Sequence, residues 1–398
     1  MSATVITDPN REATAPSRRP PGMALPFDPV LLLGVAGLVI CSLLTIDAAT
    51  ADDVDGDPHY FLKRQAVYFA VGALGALVLW RVDYSRLRGA FWGLYGFLIA
   101  SILAVLVLGS ETRGSRRAIQ TPFFEIQTSE LGKVLIVLVL AAFLVERARS
   151  LGSRDTTARA MLIGLIPSAI VMAEDLGSGL VFVAATFAVV FVAGIPARHL
   201  LALVALGAVA ITMVLVAAPA AGVDVLKPYQ EQRLTSFLHP SDDPSDAGYQ
   251  QNQSRIAIGS GEKTGRGDSA TQTKLNFLPE HHTDFVFAVV GERWGFVGAA
   301  LVLSLYALLI WRGLRILTVA KNLFGALIAG GIVAMLLFQV FVNVGMNVGI
   351  MPITGVPLPL MSYGGSSVIS TLLAIGLLQS VYVQGRTAAA TKGRILAV

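Results

Sequence analysis

Long apolar runs constrain this chain more than any other feature of its sequence. Ten runs are present, and most are separated by short polar connections. A helix needs about 20 mostly apolar residues to cross a lipid bilayer, and lipid cannot satisfy backbone polar groups left outside a helix or closed barrel. We therefore expect an all-α integral membrane protein with about ten transmembrane helices. The predicted spans are 29–46, 65–80, 90–108, 129–145, 160–172, 176–193, 200–217, 285–311, 323–350 and 366–383.

The composition agrees with this class and excludes several others. The chain is 54% hydrophobic and 14% charged, whereas soluble domains carry about 25% charged residues. Cys41 is the single cysteine, which excludes an intrachain disulfide and a zinc site built from cysteines. The net charge of +4 reflects loop arginines and does not indicate nucleic-acid binding. A nucleotide-binding GxxxxGK[ST] motif is absent from the sequence, so an ATPase or kinase is not expected.

Charge at the ends of the apolar runs predicts the topology. Residues 1–26 are polar and contain several prolines, so we interpret them as a disordered cytoplasmic tail and not as a cleaved signal peptide. With the N-terminus inside, seventeen Lys and Arg flank the inner ends of the spans and seven flank the outer ends, the long loop being left out. Both termini are then cytoplasmic. The transmembrane domain covers 27–384 and a short cytoplasmic tail covers 385–398.

One connection, 218–284, is far longer than the others and is extracytoplasmic in this topology. Loops longer than about 12–15 residues are usually functional or disordered, and this one carries Thr271, Gln272 and Glu280 as candidate substrate contacts. Its glycine-rich part, 259–267, is expected to be a flexible loop that closes over a polar headgroup. The segment 351–367 is too rich in Pro and Gly to be helical. At membrane depth it must be buried in protein or line a cavity.

Several charged residues lie near the ends of the spans. Asp284 opens an apolar helix, so it is either a helix N-cap or a half-desolvated carboxylate that could accept a proton. Glu130 and Lys133 stand at i,i+3 and should meet on one helix face. They form either a structural ion pair or, with Arg116 and Arg117, a cationic pocket for a phosphate or pyrophosphate.

Two further pairs of residues allow more than one interpretation. Glu174 and Asp175 join the short fifth span to the sixth and could be solvated turn residues, but the glycines at 177 and 179 favour close helix packing there. His281 and His282 are adjacent and would point apart on a helix, and no HExxH spacing is present, so no metal ligands are predicted.

Four motifs carry a resemblance to a known family. They are KPYQxxR at 227–233, GYQxxQSxxAIGSG at 248–261, TQxKLNFLPEHHTDFxFAVxGE at 271–292, and MPITGVPLPLMSYGGSS at 351–367. With them the chain resembles the SEDS family (shape, elongation, division and sporulation) over about residues 27–383, and its RodA branch more than its FtsW branch. The chain departs from the family pattern at Ala118, where the family usually has Trp, and at Arg293, where it usually has Glu.

The resemblance implies a peptidoglycan glycosyltransferase that polymerises lipid II on the outer face of the bacterial plasma membrane during cell elongation. It implies that Asp284 is the essential loop aspartate, that Lys133 and Glu130 lie in the cavity, and that Asp175 also belongs to the site. The implied partners are a class B penicillin-binding protein with transpeptidase activity and other membrane proteins of the elongation complex.

The hypothesis for the mechanism is an inverting sugar transfer. Asp284 would be the general base on the acceptor 4-hydroxyl. Arg116, Arg117 and Lys133 would balance the charge of the leaving pyrophosphate, and a divalent cation, Mg²⁺ or Mn²⁺, could share that task. Three alternatives remain open at this point: a lipid II flippase, an FtsW-like division polymerase, and a non-catalytic scaffold for a transpeptidase.

Overall fold

Ten apolar helices dominate the described part of the computed structural model, as expected. It describes residues 26–51, 53–54, 56–112, 115–120, 125–222, 231, 233, 235–237, 247–274, 277–278 and 281–395, with only the backbone at 110–112, 115–117, 247, 273–274 and 392–395. The main helices are α1 (Pro29–Ala49), α2 (Tyr60–Arg81), α3 (Phe91–Leu108), α4 (Thr128–Glu146), α5 (Arg154–Glu174), α6 (Leu176–Val192), α7 (Ala197–Ala220), α8 (Ala247–Ser260), α9 (Val286–Val319), α10 (Leu323–Val348) and α11 (Gly365–Ile395).

All of these except α8 are apolar, which confirms the predicted multi-span class. Within the described ranges, nine helices are long and apolar enough to cross a membrane, and α6 is shorter, at 17 residues. The expectation that the fifth span is the short one is wrong. Helix α5 has 21 residues, because its first turns are polar and start from a Ser153 cap that accepts a hydrogen bond from Thr156 N–H. Helix α11 continues to Ile395, past the predicted domain end at 384.

The centre of the bundle is α4, with α10 and α11 beside it. These three helices bury most of their length, whereas α7 buries none of its residues. Small residues allow close approach at the centre. A side chain at Gly331 of α10 would meet Val137 of α4 and Val189 of α6, which is the small-residue packing that membrane helices favour. Large apolar side chains on the outer faces, such as Leu33, Trp92 and Val107, are exposed, as lipid contact requires.

Polar contacts divide between the two ends of the bundle. At one end Arg312 pairs with Asp28 and Lys321 pairs with Asp83. This end holds the start of α1, the α2–α3 and α9–α10 junctions and the last turns of α11. At the other end lie the α1–α2 connection, the α5–α6 junction, helix α8 and the segment 349–364. Which end faces the cytoplasm stays a prediction from the Lys and Arg distribution.

A small antiparallel sheet, which the sequence did not predict, connects α3 to α4. Its strands are β1 (Ser110–Thr112), β2 (Ser115–Gln120) and β3 (Glu125–Ile126), in the order β1-β2-β3. Ile119 pairs with Ile126 across β2 and β3. The sheet therefore leads the chain directly into the first turn of α4.

The glycine-rich stretch after α8 is packed against α9, so the expectation of an open, flexible loop is wrong. Gly295 interrupts α9 with φ 63° and ψ −158°, a conformation that is essentially restricted to glycine. The turn at 261–266 fills the interruption. Phe296 N–H donates to Glu262 O at 2.9 Å, and Arg266 N–H donates to Glu292 O at 2.8 Å. A side chain at Gly261 would collide with the backbone of α9.

Candidate active site

Asp284 lies in a turn, residues 281–285, that precedes α9. The helix begins at Val286 with Phe285 in the cap position and without a side-chain cap hydrogen bond. Asp284 is therefore not the N-cap of this helix, and the first of the two sequence-based interpretations is wrong. Asp284 itself is partly exposed.

Two asparagines of α10 fix the backbone of Asp284. Asn343 and Asn347 are one helical turn apart and completely buried. Asn343 Nδ2 donates to the Asp284 carbonyl oxygen at 3.0 Å, and Asn347 Nδ2 donates to the same atom at 3.2 Å. Asn347 Oδ1 accepts from Ala288 N–H at 3.1 Å. Sequence reasoning missed both residues, although two amides at i,i+4 inside an apolar span were a usable signal.

The Pro- and Gly-rich segment 351–364 passes beside this turn and is buried in protein, as predicted. Side chains from several helices satisfy its backbone: Asn343 Nδ2 donates to Val356 O at 2.8 Å, Gln65 Nε2 donates to Ser362 O at 3.2 Å, and Ser42 Oγ donates to Met361 O at 3.0 Å. The segment also binds the turn directly. Tyr363 N–H donates to His282 O at 2.8 Å. Irregular backbone at this depth is stable because these partners replace water.

Gly355 brings this segment up to Asp284 and Arg233. A Cβ atom built on Gly355 would lie 3.6 Å from Asp284 Oδ2 and 3.5 Å from Arg233 Nη1. The carboxylate and the guanidinium therefore face the same small volume. Gly355 has φ +72°, which glycine adopts without strain. Arg233 thus joins Asp284 and Gly355 at this point, and it belongs to the KPYQxxR motif noted in the sequence.

Glu130 and Lys133 form the predicted pair, and it is deeply buried. Lys133 Nζ lies 2.6 Å from Glu130 Oε1, with 2% and 1% of the two side chains exposed. An ammonium has three N–H donors, and this is its single hydrogen bond to the described residues. Glu130 Oε2 is also buried and has no hydrogen-bond partner among them. A polar ligand or ordered water would satisfy these atoms, because unpaired buried polar atoms are costly.

Asp175 has a clear structural role as the N-cap of α6. Its carboxylate accepts from Ser178 N–H at 3.1 Å and from Ser178 Oγ at 2.8 Å, and Gln127 Nε2 donates to it at 3.3 Å. Gly177 packs against the Thr354 carbonyl so closely that a side chain would collide there, which confirms the predicted close packing at this junction. The α5–α6 junction thus contacts both Gln127 at the start of α4, through Asp175, and the segment that carries Gly355, through Gly177. A substrate contact by Asp175 stays a prediction.

The other predicted substrate contacts are further from this centre or outside the described residues. Gln272 N–H donates to Glu292 Oε1 at 2.8 Å, and Arg266 Nη1 donates to Thr271 Oγ1 at 3.4 Å. These contacts place Thr271 and Gln272 at the interruption of α9, about two turns along from Asp284. Arg116 and Arg117 lie in β2, but their side chains are not described. Glu280 is outside the described residues.

A second cluster adjoins the turn on the side of α1. Asp53, His281 and His282 each offer one ligand atom, and these atoms lie within 4.8 Å of one another. The prediction that the two histidines point apart is wrong, because it assumed a helix and they lie in a turn. Asp53 is distant in sequence, so local patterns gave no indication of this cluster.

With the geometry in place, the chain can be compared with known proteins. The profile of the family described as "Cell cycle protein", FTSW_RODA_SPOVE, matches residues 23–387. The chain belongs to this family, the SEDS proteins. It is 36% identical to "Peptidoglycan glycosyltransferase MrdB" of Escherichia coli K12 over 360 residues, which covers 89% of this chain and 93% of that protein.

Two further similarities extend this result. The chain is 37% identical over 358 residues to "Probable peptidoglycan glycosyltransferase FtsW" of Thioalkalivibrio sulfidiphilus, covering 88% of this chain and 87% of that protein. A solved structure described as "Structural coordination of polymerization and crosslinking by a peptidoglycan synthase complex" matches with a TM-score of 0.75 and 34% identity, over 91% of this chain and 99% of that one. The near-equal identities to MrdB and FtsW do not choose between the branches of the SEDS family.

Proposed function

We propose that this SEDS protein is a peptidoglycan glycosyltransferase that polymerises lipid II, with Asp284 as the general base. Similarity over most of the chain to proteins named peptidoglycan glycosyltransferases supports the activity. The assignment of Asp284 as the base depends on how the structure positions this residue. Its backbone is fixed by two buried asparagines, while its carboxylate faces Arg233 across Gly355. A catalytic base needs such a fixed position, because small displacements reduce rate strongly.

The proposed reaction joins the acceptor sugar to the donor chain. Asp284 removes the proton from the acceptor 4-hydroxyl as that oxygen attacks the anomeric carbon of the donor. A new C–O bond forms, and the bond from the anomeric carbon to the pyrophosphate oxygen breaks with its electron pair on the leaving group. Attack from the face opposite to the leaving group inverts the configuration. The released product is undecaprenyl pyrophosphate.

The leaving group carries negative charge that nearby cations must balance. Arg233 is a candidate from the structure because its guanidinium lies beside the same volume as Asp284. Lys133 is already paired with Glu130, so the pair is nearly neutral as a unit and is better suited to hydrogen-bond a polar headgroup than to neutralise it. Arg116 and Arg117 keep the role proposed from the sequence.

The decisive test is glycan synthesis by the purified full-length protein on lipid II. Asp284→Asn keeps the shape of the side chain but cannot accept the proton, so we expect at least a ~100-fold loss of polymer, the low end of the contribution of a general base. Asp268→Asn is the matched control, because Asp268 is an exposed aspartate of the same loop that pairs with Arg293. Polymer from Asp284→Asn at the wild-type rate would remove Asp284 from the mechanism. A wild-type protein that moves lipid II across vesicles without polymerising it would instead support the flippase.

The partner is proposed to be a class B penicillin-binding protein. The matching structure of a peptidoglycan synthase complex, whose description couples polymerisation to crosslinking, supports this. Co-purification of the two proteins after co-expression tests it, and a polymerase that is fully active and never associated with such a partner would contradict it. The elongation role, which the resemblance to the RodA branch favours, is tested by rescue of cells depleted of their elongation or division SEDS protein.

The site is proposed to face away from the cytoplasm in the plasma membrane. Cys41 is the single native cysteine, so a Cys41→Ser background allows one reporter cysteine to be placed. Asp268→Cys should react with a membrane-impermeant maleimide added to spheroplasts. A cysteine at Arg149, at the opposite end of the bundle, should stay protected until the cells are lysed. The reverse pattern of labelling would place Asp284 on the cytoplasmic side and exclude the proposed chemistry.

A further inference from the structure

A cluster of three potential metal ligands lies next to the turn that carries Asp284. His281 Nε2 is 3.3 Å from Asp53 Oδ2, with 4% and 15% of the two side chains exposed. His282 contributes a third ligand atom, and all three atoms lie within 4.8 Å of one another. The rings of His281 and His282 meet nearly edge to face, with centroids 5.2 Å apart and an angle of 76°. Two elements distant in sequence thus direct ligand atoms at one point.

The protonation of His281 follows from its other contact. Its Nδ1 atom lies 3.1 Å from the carbonyl oxygen of Leu278. A carbonyl can only accept, so Nδ1 carries the hydrogen. In the neutral ring Nε2 then has a lone pair, and this lone pair faces the carboxylate of Asp53. Two acceptors in contact repel each other unless a proton or a metal ion lies between them.

The geometry favours a metal ion over a proton. Nε2 of His281 is buried and makes no hydrogen bond to the described residues, although Asp53 is close, because the two groups are not aligned for one. Ligands at about 2.0–2.1 Å from a tetrahedral zinc ion are separated by about 3.3–3.4 Å, which matches the observed distance. Metal-bound histidines also donate their other N–H to a carbonyl or carboxylate, as His281 does to Leu278. His282 also packs against Phe61 and Tyr363, with ring centroids 4.9 and 5.7 Å away, and these contacts hold its imidazole beside the other two ligand groups.

We propose that Asp53, His281 and His282 bind one divalent first-row transition metal ion of the zinc class, with water completing the coordination. Two imidazole nitrogens and one carboxylate oxygen favour such an ion over Mg²⁺ or Ca²⁺, which prefer oxygen ligands. The ion ties the α1–α2 connection to the turn before Asp284, which the segment 351–364 holds from the other side through Tyr363. Its role is structural, and the inference does not depend on the proposed function.

Metal binding can be measured without any turnover. Full-length protein carrying a tag without histidines is purified in detergent, stripped with a chelator and titrated with Zn²⁺ against a chromophoric chelator. We expect one equivalent to bind, and Mg²⁺ in large excess not to displace it. Co²⁺ should give the intense visible bands of a four-coordinate site. No saturable Zn²⁺ binding to the stripped, monodisperse wild-type protein would overturn the proposal.

Variants assign the ligands. His281→Gln and Asp53→Asn should each weaken Zn²⁺ binding by more than about 100-fold, since loss of an outer partner alone costs about 10- to 100-fold. His59→Gln is the matched control, because His59 on the same connection pairs with Asp47 of α1, 2.6 Å apart, and the described residues offer this pair no third metal ligand. Binding that survives His281→Gln would refute the site. X-ray absorption on the zinc-loaded wild type gives a test that needs no variant, and a spectrum without imidazole scattering would also refute it.

Discussion

Asn343 of α10 donates from one amide group to two backbone carbonyls, those of Asp284 at 3.0 Å and Val356 at 2.8 Å. Asn343 therefore links the proposed base to the segment that carries Gly355. Asn347 donates to the same Asp284 carbonyl, but Asn343 also bonds Val356, and a buried amide with two such bonds is costly to remove. The arrangement is rigid because α10, which holds Asn343, is one of the most buried helices of the bundle.

Asn343→Ala should impair catalysis more than folding. Both carbonyls lose a donor, and because the Asp284 carbonyl is left with the bond from Asn347, the position of Asp284 loosens. We expect polymerisation to fall by about 10- to 100-fold, since a misplacement of about 1 Å can cost that much. Glycan yield from purified protein at saturating lipid II measures it. Asn322→Ala is the control, because Asn322 caps the opposite end of α10 through Gly325 N–H. It should lower stability by about 1 kcal/mol and leave the rate unchanged, and an equal loss of rate in both variants would contradict the prediction.

Gly355→Ala should reduce activity by placing a methyl group between Asp284 and Arg233. The new Cβ would lie 3.5–3.6 Å from their charged atoms, in the volume that we propose receives substrate. Part of any effect will come from backbone strain at positive φ, about 1–3 kcal/mol. Gly56→Ala separates the two causes, because Gly56 has φ +84° with open space around it. Lipid II polymerisation should fall only in Gly355→Ala, whereas both variants should show a lower unfolding temperature.

Single substitutions of Glu130 or Lys133 should destabilise the protein, because each leaves a buried charge without its partner. The expected cost is about 3–5 kcal/mol, measured by thermal unfolding in detergent. The double variant Glu130→Gln, Lys133→Met removes both charges and should recover most of this stability. If the pair also holds substrate, the double variant will fold but will not polymerise lipid II. Full activity in the double variant would show that the pair is only structural.

The link between Asp83 and Lys321 should depend on pH. Burial opposes the charged form of Asp83, but hydrogen bonds from Ser85 N–H and from the Lys321 ammonium outweigh it, so the pKa of Asp83 is lowered from its ordinary value. Because the pKa of Asp83 is lower in the folded state, its charge stabilises the fold at pH values above the unfolded pKa of 3.8. This stabilisation is lost as the pH falls through the folded pKa.

Comparison with Asp83→Asn isolates this charge, because asparagine is an equally good cap. The two side chains are partly exposed, 23% for Lys321 and 45% for Asp83, so solvent screens the pair and the difference in unfolding free energy at pH 7 should be no more than about 1 kcal/mol. The gap between wild type and variant should close below about pH 4. A gap that widened on acidification would show that the sign is wrong.

Local patterns were sufficient for the parts of the site that lie within one helix. The i,i+3 spacing of Glu130 and Lys133 predicted their contact, and glycines 177 and 179 predicted the tight α5–α6 junction. The density of Pro and Gly in 351–367 predicted a buried irregular segment. Each of these depends on neighbours in sequence, so helical geometry or backbone chemistry alone was enough.

Predictions failed where distant segments meet. The glycines after α8 were taken for an open loop, but Gly261 and Gly265 are needed for a turn that fills the break at Gly295 of α9. His281 and His282 were expected to diverge, but the turn directs both at Asp53. In each case the contacting residue lies far away in the chain, and no periodic pattern in the sequence indicates such a contact.

The sequence by itself determined the membrane class, the ten spans and the family, because apolar runs and motifs are written in consecutive residues. The tertiary structure decided which polar groups share a site. It placed Asn343 and Asn347 behind Asp284, Arg233 across Gly355, and Asp53 beside two histidines. The physical reason is that hydrophobic partition into lipid acts on each helix separately, whereas buried polar contacts depend on how the helices pack together.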